Sequence, residues 1–548
     1  MSDLTEKLTI PFLFNQTLNR VPDNPALGFA GEEAISYREL DKKINALISF
    51  LEGNGVKPGD RVAIFSLNMP NWGVAYYAIT FMGAVVVPVL PDFSQTEVSN
   101  VISHSGTSVL FVSQSLLQKT ENLEAEDLRL KVLIDDFTFT GNTEGPVKFD
   151  PDAVPSGKHE VKEDDLVSII YTSGTTGRSK GVMLSQRNIS FTALKGRVIQ
   201  PLDETDRFLS VLPLSHTYEN TLGLILPMLS GSSVYYLKKP PTPSVLLPAL
   251  EEVKPTAMLT VPLIIEKIYY NKILPAFTDK FLMRMLYSIP FLRKILNKAA
   301  GKKLMKTFGG HLKFFGVGGA KLNKTVEKFL AEARFPYAIG YGLTETSPLL
   351  AGSNPAFTVP ESTGPALEGV ELKIHNPDRV TGEGEIWAKG PNVMIGYYKD
   401  PEMTAEVITP DGWFRTGDLG VFDKRNNLFI RGRLKNMIVG ASGENIYPEE
   451  IESVINNFRH VVESLVIEQK GKLVALVHIN MEEIEKKYIH LKAEASRQFD
   501  EKVEEILKEV QDYVNSRVNK FSQINKVVLQ PVPFQKTATQ KIKRFLYT

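Results

Sequence analysis

Apolar residues in the first hundred positions change period twice, and each change predicts an element. Leu40, Ile44, Leu47, Ile48 and Leu51 recur at helical spacing. They follow a Ser36-x-x-Glu39 capping box, so the pattern predicts an amphipathic helix over 37–53. From Val62 to Pro91 there is no charged residue. About 20 apolar residues suffice to cross a bilayer. Here, however, Asn68, Pro70 and Asn71 interrupt the start, and Gly83 with the β-branched run Val85-Val86-Val87 interrupts the end. The stretch therefore reads as strand, helix and strand buried in a soluble core. Strands over 61–67, 84–90 and 108–112 then alternate with helices over 72–82 and 94–104. That order predicts an α/β fold with a largely parallel sheet wrapped by helices.

The next feature is chemical. Tyr171-Thr172-Ser173-Gly174-Thr175-Thr176-Gly177-Arg178-Ser179-Lys180-Gly181 packs hydroxyls and glycines between a buried strand, Leu166–Ile170, and a helix that Ser185 can cap. The loop is expected to join strand to helix. Its glycines let the backbone turn amides inward, its hydroxyls add donors and Lys180 adds charge, which suits phosphate. A flexible Ser/Gly linker is disfavoured by the ordered elements predicted on either side. A Walker loop, G-x-x-x-x-G-K-[ST], is excluded: counting from Gly174, position 179 is Ser and position 181 is Gly.

Other blocks follow. Leu214-Ser215-His216-Thr217-Tyr218-Glu219-Asn220 comes after an expected strand at 208–213, and by itself His216 reads as a core histidine. An expected strand over 312–317 ends in Gly318-Gly319-Ala320, where missing side chains admit a flat ligand. Gly340-Tyr341-Gly342-Leu343-Thr344-Glu345-Thr346 offers an aromatic ring, hydroxyls and a carboxylate, suited to adenine, phosphate and magnesium. Pro391 to Tyr398 and Trp413-Phe414-Arg415-Thr416-Gly417-Asp418 come next, and a carboxylate such as Asp418 can accept both hydroxyls of a ribose. Residues 431–452 contain R-G-R-L-K-N-M-I-V-G-A-S-G-E-N, and the chain closes on Lys536-Thr537-Ala538-Thr539-Gln540-Lys541-Ile542-Lys543-Arg544. Alone, that ending would be a basic solvated terminus.

Together these blocks resemble the adenylate-forming superfamily of acyl-CoA synthetases, peptide-synthetase adenylation domains and luciferases, and the long-chain fatty acid–CoA ligases most of all. The resemblance implies a large N-terminal domain of layered sheets and helices, 1–433, and a small mobile α+β C-terminal domain, 434–548. It implies that ATP, Mg²⁺ and coenzyme A are used. Thr172, Ser173, Gly174, Thr175, Thr176, Gly177 and Lys180 would follow the phosphates. Gly319, Ala320, Tyr341, Gly342, Asp418 and Arg433 would hold the nucleoside, and His216 and Gly318 would face the acyl group. Thr344, Glu345 (also the metal ligand) and Lys541 would be catalytic, Lys435 the hinge, and Gly440 and Gly443 would flank CoA. Many members carry Gly where this chain has Gln540, and a larger residue there is common in the long-chain ligases. The implied reaction makes acyl-AMP and pyrophosphate, then acyl-CoA and AMP, from a long-chain fatty acid. The alternatives are medium-chain or aromatic acids, a carrier-protein thiol as acceptor, or an inactive nucleotide-binding regulator.

Composition narrows the picture in three ways. Length, 548 residues, calls for at least two domains. The 63 basic and 63 acidic side chains balance, which gives no reason to expect nucleic acid. The absence of cysteine rules out disulfides, thiolate nucleophiles and Cys-ligated zinc. With an N-terminus unlike a secretory signal, a cytoplasmic location is expected. One segment departs from the balance: 271–310 holds nine basic residues and one acid, Asp279, among many apolar ones. An interfacial helix on anionic lipid, at the inner face of the membrane, and a solvated helix pair packed on the main domain account for it equally. Oligomeric state is not legible.

Overall fold

The computed structural model describes residues 7–140, 147–173, 179–439, 445–469, 471–481, 484–485, 496–537 and 541–547. Among them, two large sheets carry the N-terminal part. One has seven strands in the spatial order 396–397, 179–185, 166–173, 85–89, 61–65, 107–112, 130–133. The other has eight, in the order 349–352, 337–342, 314–317, 257–260, 207–210, 233–236, 25–29, 35–36. A four-stranded antiparallel sheet, 371–375, 384–389, 414–422 and 428–433, lies beside them.

The uncharged run folds as strand Arg61–Phe65, helix Pro70–Phe81 and strand Val85–Val89. Every side chain of the second strand is buried, and Trp72, Tyr76 and Tyr77 lie in the core between the layers. Burial on all sides explains why the segment shows neither helical nor strand periodicity. Among the described residues no helix is long and apolar enough to cross a membrane.

One expectation is corrected. The hydroxyl- and glycine-rich stretch does not join strand to helix. Strands Leu166–Ser173 and Ser179–Ser185 pair antiparallel from Leu166↔Ser185 to Ser173↔Ser179, so the stretch links two paired strands of one sheet, and both of its ends lie in those strands. The helix Gln186–Ile199 begins only after the second strand, where Ser185 and Asn188 form a capping box. Tyr397 then extends the sheet on the far side, opposite Val182.

From Ile446 onward the chain builds its own core. Strands Val461–Gln469, Lys472–Ile479 and Lys526–Leu529 form one sheet, against which helix Ser496–Asn515 packs Val503, Ile506, Val510 and Val514. This unit touches the N-terminal part through Lys321–Glu450 (2.7 Å), Tyr270–Asn457 (2.5 Å) and Tyr447–Glu383 (2.6 Å), all polar. Polar contacts of this kind between units fit an interface that can slide or reopen.

Candidate active site

Two parallel neighbours, Phe314–Val317 and Tyr337–Gly342, end side by side, and the chain leaves each through glycines. The carboxyl ends of parallel strands are where α/β sheets bind ligands. Gly319 has φ +82°, which a side chain would strain. Gly342 is fixed by space instead: a Cβ there would stand 1.6 Å from the Pro348 carbonyl oxygen. Gly318 lies under the Tyr218 ring, which a Cβ would meet at 3.1 Å. Gly319, Ala320 and Gly342 are exposed, leaving an open floor of backbone.

The Asp418 end of the cleft is built by strand register. Asp418 and Arg433 stand directly opposite each other on neighbouring antiparallel strands. Arg433 Nε lies 3.2 Å from Asp418 Oδ1, and the Tyr341 hydroxyl donates to Oδ2 at 2.9 Å. Asp418 is 5% exposed. Burial pushes its pKa up, while Arg433 and Tyr341 oppose that shift. Burial also pushes the Tyr341 phenol well up, which keeps it a neutral donor.

Beside the hairpin, the Tyr397 hydroxyl donates to Glu345 Oε1 at 2.9 Å, and Lys180 Nζ lies 5.0 Å from the centre of the Tyr397 ring. Tyr397 thus links the hairpin lysine to the Glu345 carboxylate. Tyr397 falls within the block from Pro391 to Tyr398, where the sequence by itself assigns it no role. Its position next to the hairpin follows from antiparallel pairing with Val182, which no local spacing announces. Thr172 is paired with Lys180 across the hairpin. Gly174, Thr175, Thr176 and Gly177 lie outside the described residues, as do Gly440 and Gly443. Thr344 and Glu345 form a single turn after the strand Tyr337–Gly342.

Lys541 comes from the C-terminal unit. It is held by the Lys536↔Ile542 bridge and by Thr537 N–H donating to the Lys541 carbonyl, 2.8 Å. Ile542 and Tyr547 pack that pairing on Phe534 and Leu465. The Lys541 side chain is exposed, and surrounding protein atoms still desolvate the ammonium. That desolvation, with the Arg433 charge, lowers its pKa against the pull of Asp418 and Glu345. The same lysine acts on His216: desolvation first, then Lys541, lowers the imidazole to about 4, so it is neutral near pH 7. Lys541 thus lies within electrostatic reach of Glu345, Asp418 and Arg433, and separately of His216, although the chain separates it from His216 by more than half its length. Lys435 is exposed in a short turn just after Arg433, at the junction of the two units.

The fold and cleft define a nucleotide-binding enzyme with a second unit bearing a lysine over the site. A family model for AMP-binding enzymes matches residues 14–398, and the chain belongs to that family. It is an AMP-forming acyl-CoA ligase, with ATP and coenzyme A as substrates. It is 29% identical over 476 residues to the 3-[(3aS,4S,7aS)-7a-methyl-1,5-dioxo-octahydro-1H-inden-4-yl]propanoyl:CoA ligase of Mycobacterium tuberculosis, covering 84% of this chain and 85% of the relative. It is 28% identical over 507 residues to the long-chain-fatty-acid–CoA ligase heimdall of Drosophila melanogaster, with 82% and 72% covered. Among solved structures, o-succinylbenzoate coenzyme A synthetase of Bacillus subtilis in complex with AMP superposes with TM-score 0.76 at 23% identity, covering 98% and 97% of the two chains. At that identity the last likeness speaks for the fold.

Proposed function

We propose that this ligase activates a long-chain fatty acid in the cytoplasm, first to acyl-AMP and then to acyl-CoA. The observation that carries the mechanism is the meeting of Lys541 with Glu345, Asp418 and His216. Joining a carboxylate to the α-phosphate of ATP brings two anions together, so charge neutralisation dominates the barrier. Protonated Lys541 bridges carboxylate and α-phosphate. Lys180 and the hairpin hold the outer phosphates, Asp418 and Arg433 the ribose, and Tyr341 the adenine. Neutral His216 lines the acyl side without adding a competing cation. The carboxylate oxygen attacks phosphorus, the bond to pyrophosphate breaks, and acyl-AMP remains.

Magnesium fits the donor set. Among the described residues the Glu345 carboxylate accepts at Oε1 from Tyr397, and no cluster of three or more His, Cys, Asp or Glu occurs among them. Mg²⁺ is commonly held by one or two carboxylates plus substrate phosphates. It would sit on Glu345 and supply neutralisation of phosphate charge. Rotation of 434–548 about Lys435 would then withdraw Lys541 and let the CoA thiol displace AMP.

Support for the long-chain acid comes from several relatives bearing that name and from the T-A-T-Q-K ending. A second reading, a compact oxygen-bearing acid, is favoured by Ser215, Thr217 and Thr221, whose buried hydroxyls flank and follow His216 with no hydrogen-bond partner among the described residues. ATP–pyrophosphate exchange and thioester formation with acids from acetate to C18, and with a cyclic keto acid, separate the two. Greatest exchange and thioester yield with C14–C18 acids is expected; a maximum with the keto acid sinks the long-chain reading.

A further inference from the structure

The basic segment folds as two helices, Phe281–Ser288 and Pro290–Thr307, meeting at a corner near Ile289. Their inner side is clamped. Tyr287 stacks on Phe277 with ring centres 4.9 Å apart and donates to Asn297 at 3.0 Å. Asn297 and Arg293 both bond Glu332, at 2.7 and 2.9 Å. Gly301 lets the second helix approach so closely that a Cβ would meet the Ala333 carbonyl oxygen at 2.6 Å.

With that side fixed, the outer side is presented to solvent and cannot turn inward. Phe281 (74% exposed), Leu282 (67%), Met285 (54%), Phe291 (72%) and Ile295 (51%) all lie on it. The first helix buries no residue at all. Apolar side chains gathered in this way mark an interaction surface. The charge around them selects its partner. Lys294, Lys298, Lys302 and Lys303 are exposed, and among the described residues no carboxylate forms an ion pair with them. Lys298 and Lys302 fall seven residues beyond Phe291 and Ile295, so they continue the same helical face. A second copy of this patch would meet it with like charge.

We propose that the corner formed by these helices docks on an anionic lipid surface. Phe281, Leu282, Met285 and Phe291 enter the headgroup–acyl boundary, and the lysines pair with lipid phosphates. The docking is independent of nucleotide chemistry, so it stands or falls apart from the acyl-ligase reading.

The test is partition of the full chain onto sedimentable vesicles, either of phosphatidylcholine alone or carrying about 30 mol% phosphatidylglycerol. Binding is expected on the anionic vesicles, weakened by salt and by neutral lipid. Lys294→Glu/Lys298→Glu/Lys302→Glu, all on exposed positions, should lower partition about a hundredfold, from roughly fivefold per lysine lost. Phe281→Ser/Phe291→Ser should lower it as well, and both variants should keep the wild-type rate of pyrophosphate exchange. The proposal is overturned by no partition of the wild type, or by partition that neither variant reduces. It is equally overturned if the phenylalanine variant abolishes a dimer in analytical ultracentrifugation while lipid binding is absent, which would assign the face to a second copy.

Discussion

Asp418→Asn separates the nucleotide site from the fold it is built on. The carboxylate accepts from Tyr341 at 2.9 Å, faces Arg433 at 3.2 Å and is 5% exposed. Asparagine keeps the shape but replaces one acceptor with a donor and removes the charge. Hydrogen bonds to a charged group contribute about 1.5–3 kcal/mol and neutral ones about 1 kcal/mol, so losing charge on the two proposed ribose contacts costs about 1–4 kcal/mol. That corresponds to roughly a five- to thousandfold weaker grip on ATP and AMP. Stability should move little. The Arg433 side chain is 47% exposed, so its ion pair is worth under about 1 kcal/mol, and the neutral amide escapes the desolvation that raises the Asp418 pKa. Titration calorimetry with ATP and AMP, beside thermal unfolding, reads both. Tyr341→Phe, which leaves the carboxylate in place, should weaken nucleotide binding only about tenfold, the loss of one hydrogen bond. ATP affinity within threefold of wild type in Asp418→Asn, or a fall in Tm parallel to the loss of affinity, would refute the ribose assignment.

Other predictions follow from the same geometry. Gly342→Ala should destabilise the chain by more than about 3 kcal/mol, because the added methyl meets backbone rather than a movable side chain; thermal unfolding checks it, and an unchanged Tm contradicts the packing. Glu219 is buried and its pKa is raised to about 8 by desolvation. A raised folded-state value means its contribution is fully present below about pH 4.5 and is lost as pH rises through 8, so Glu219→Gln should flatten the decline of Tm between pH 5 and 9. Tyr397→Phe should slow adenylation about tenfold by freeing the Glu345 carboxylate, the cost of one hydrogen bond, with pyrophosphate exchange as the readout. Because the Lys541 pKa is lowered and the proposed bridge between carboxylate and α-phosphate needs the ammonium, exchange should fall on the alkaline side at a pH below that of an ordinary lysine.

What could be read from the sequence was set by how local each feature is. The capping box at Ser36 and Glu39 and the helix Tyr37–Gly53 were legible because cap and stripe lie within one helix. The uncharged run from Val62 gave its three elements through its breakers. The hairpin after Tyr171 was not legible: Gly181, Val182, Met183 and Leu184 do not alternate in polarity, because both faces of that strand pack in the interior, so nothing marked a second strand before Ser185. The partners of Asp418 and Glu345 were hidden for another reason. Arg433 is placed by cross-strand register and Tyr397 by addition to a sheet edge, and both depend on tertiary pairing rather than spacing along the chain. The clamp under the basic helices, from Asn297 and Arg293 to Glu332, was hidden in the same way. It decides that the helix pair packs on the main domain and still leaves an apolar side outward.

The central claim is that a lysine carried by the C-terminal unit completes the adenylation site and leaves it for the second step. Measuring the two half-reactions of Lys541→Ala separately, pyrophosphate exchange for the first and thiolysis of supplied acyl-AMP by CoA for the second, tests it most directly. Loss of exchange by about a thousandfold or more, as for removal of a charge that stabilises the transition state, with thiolysis near the wild-type rate, is the predicted result; equal loss of both half-reactions would contradict it.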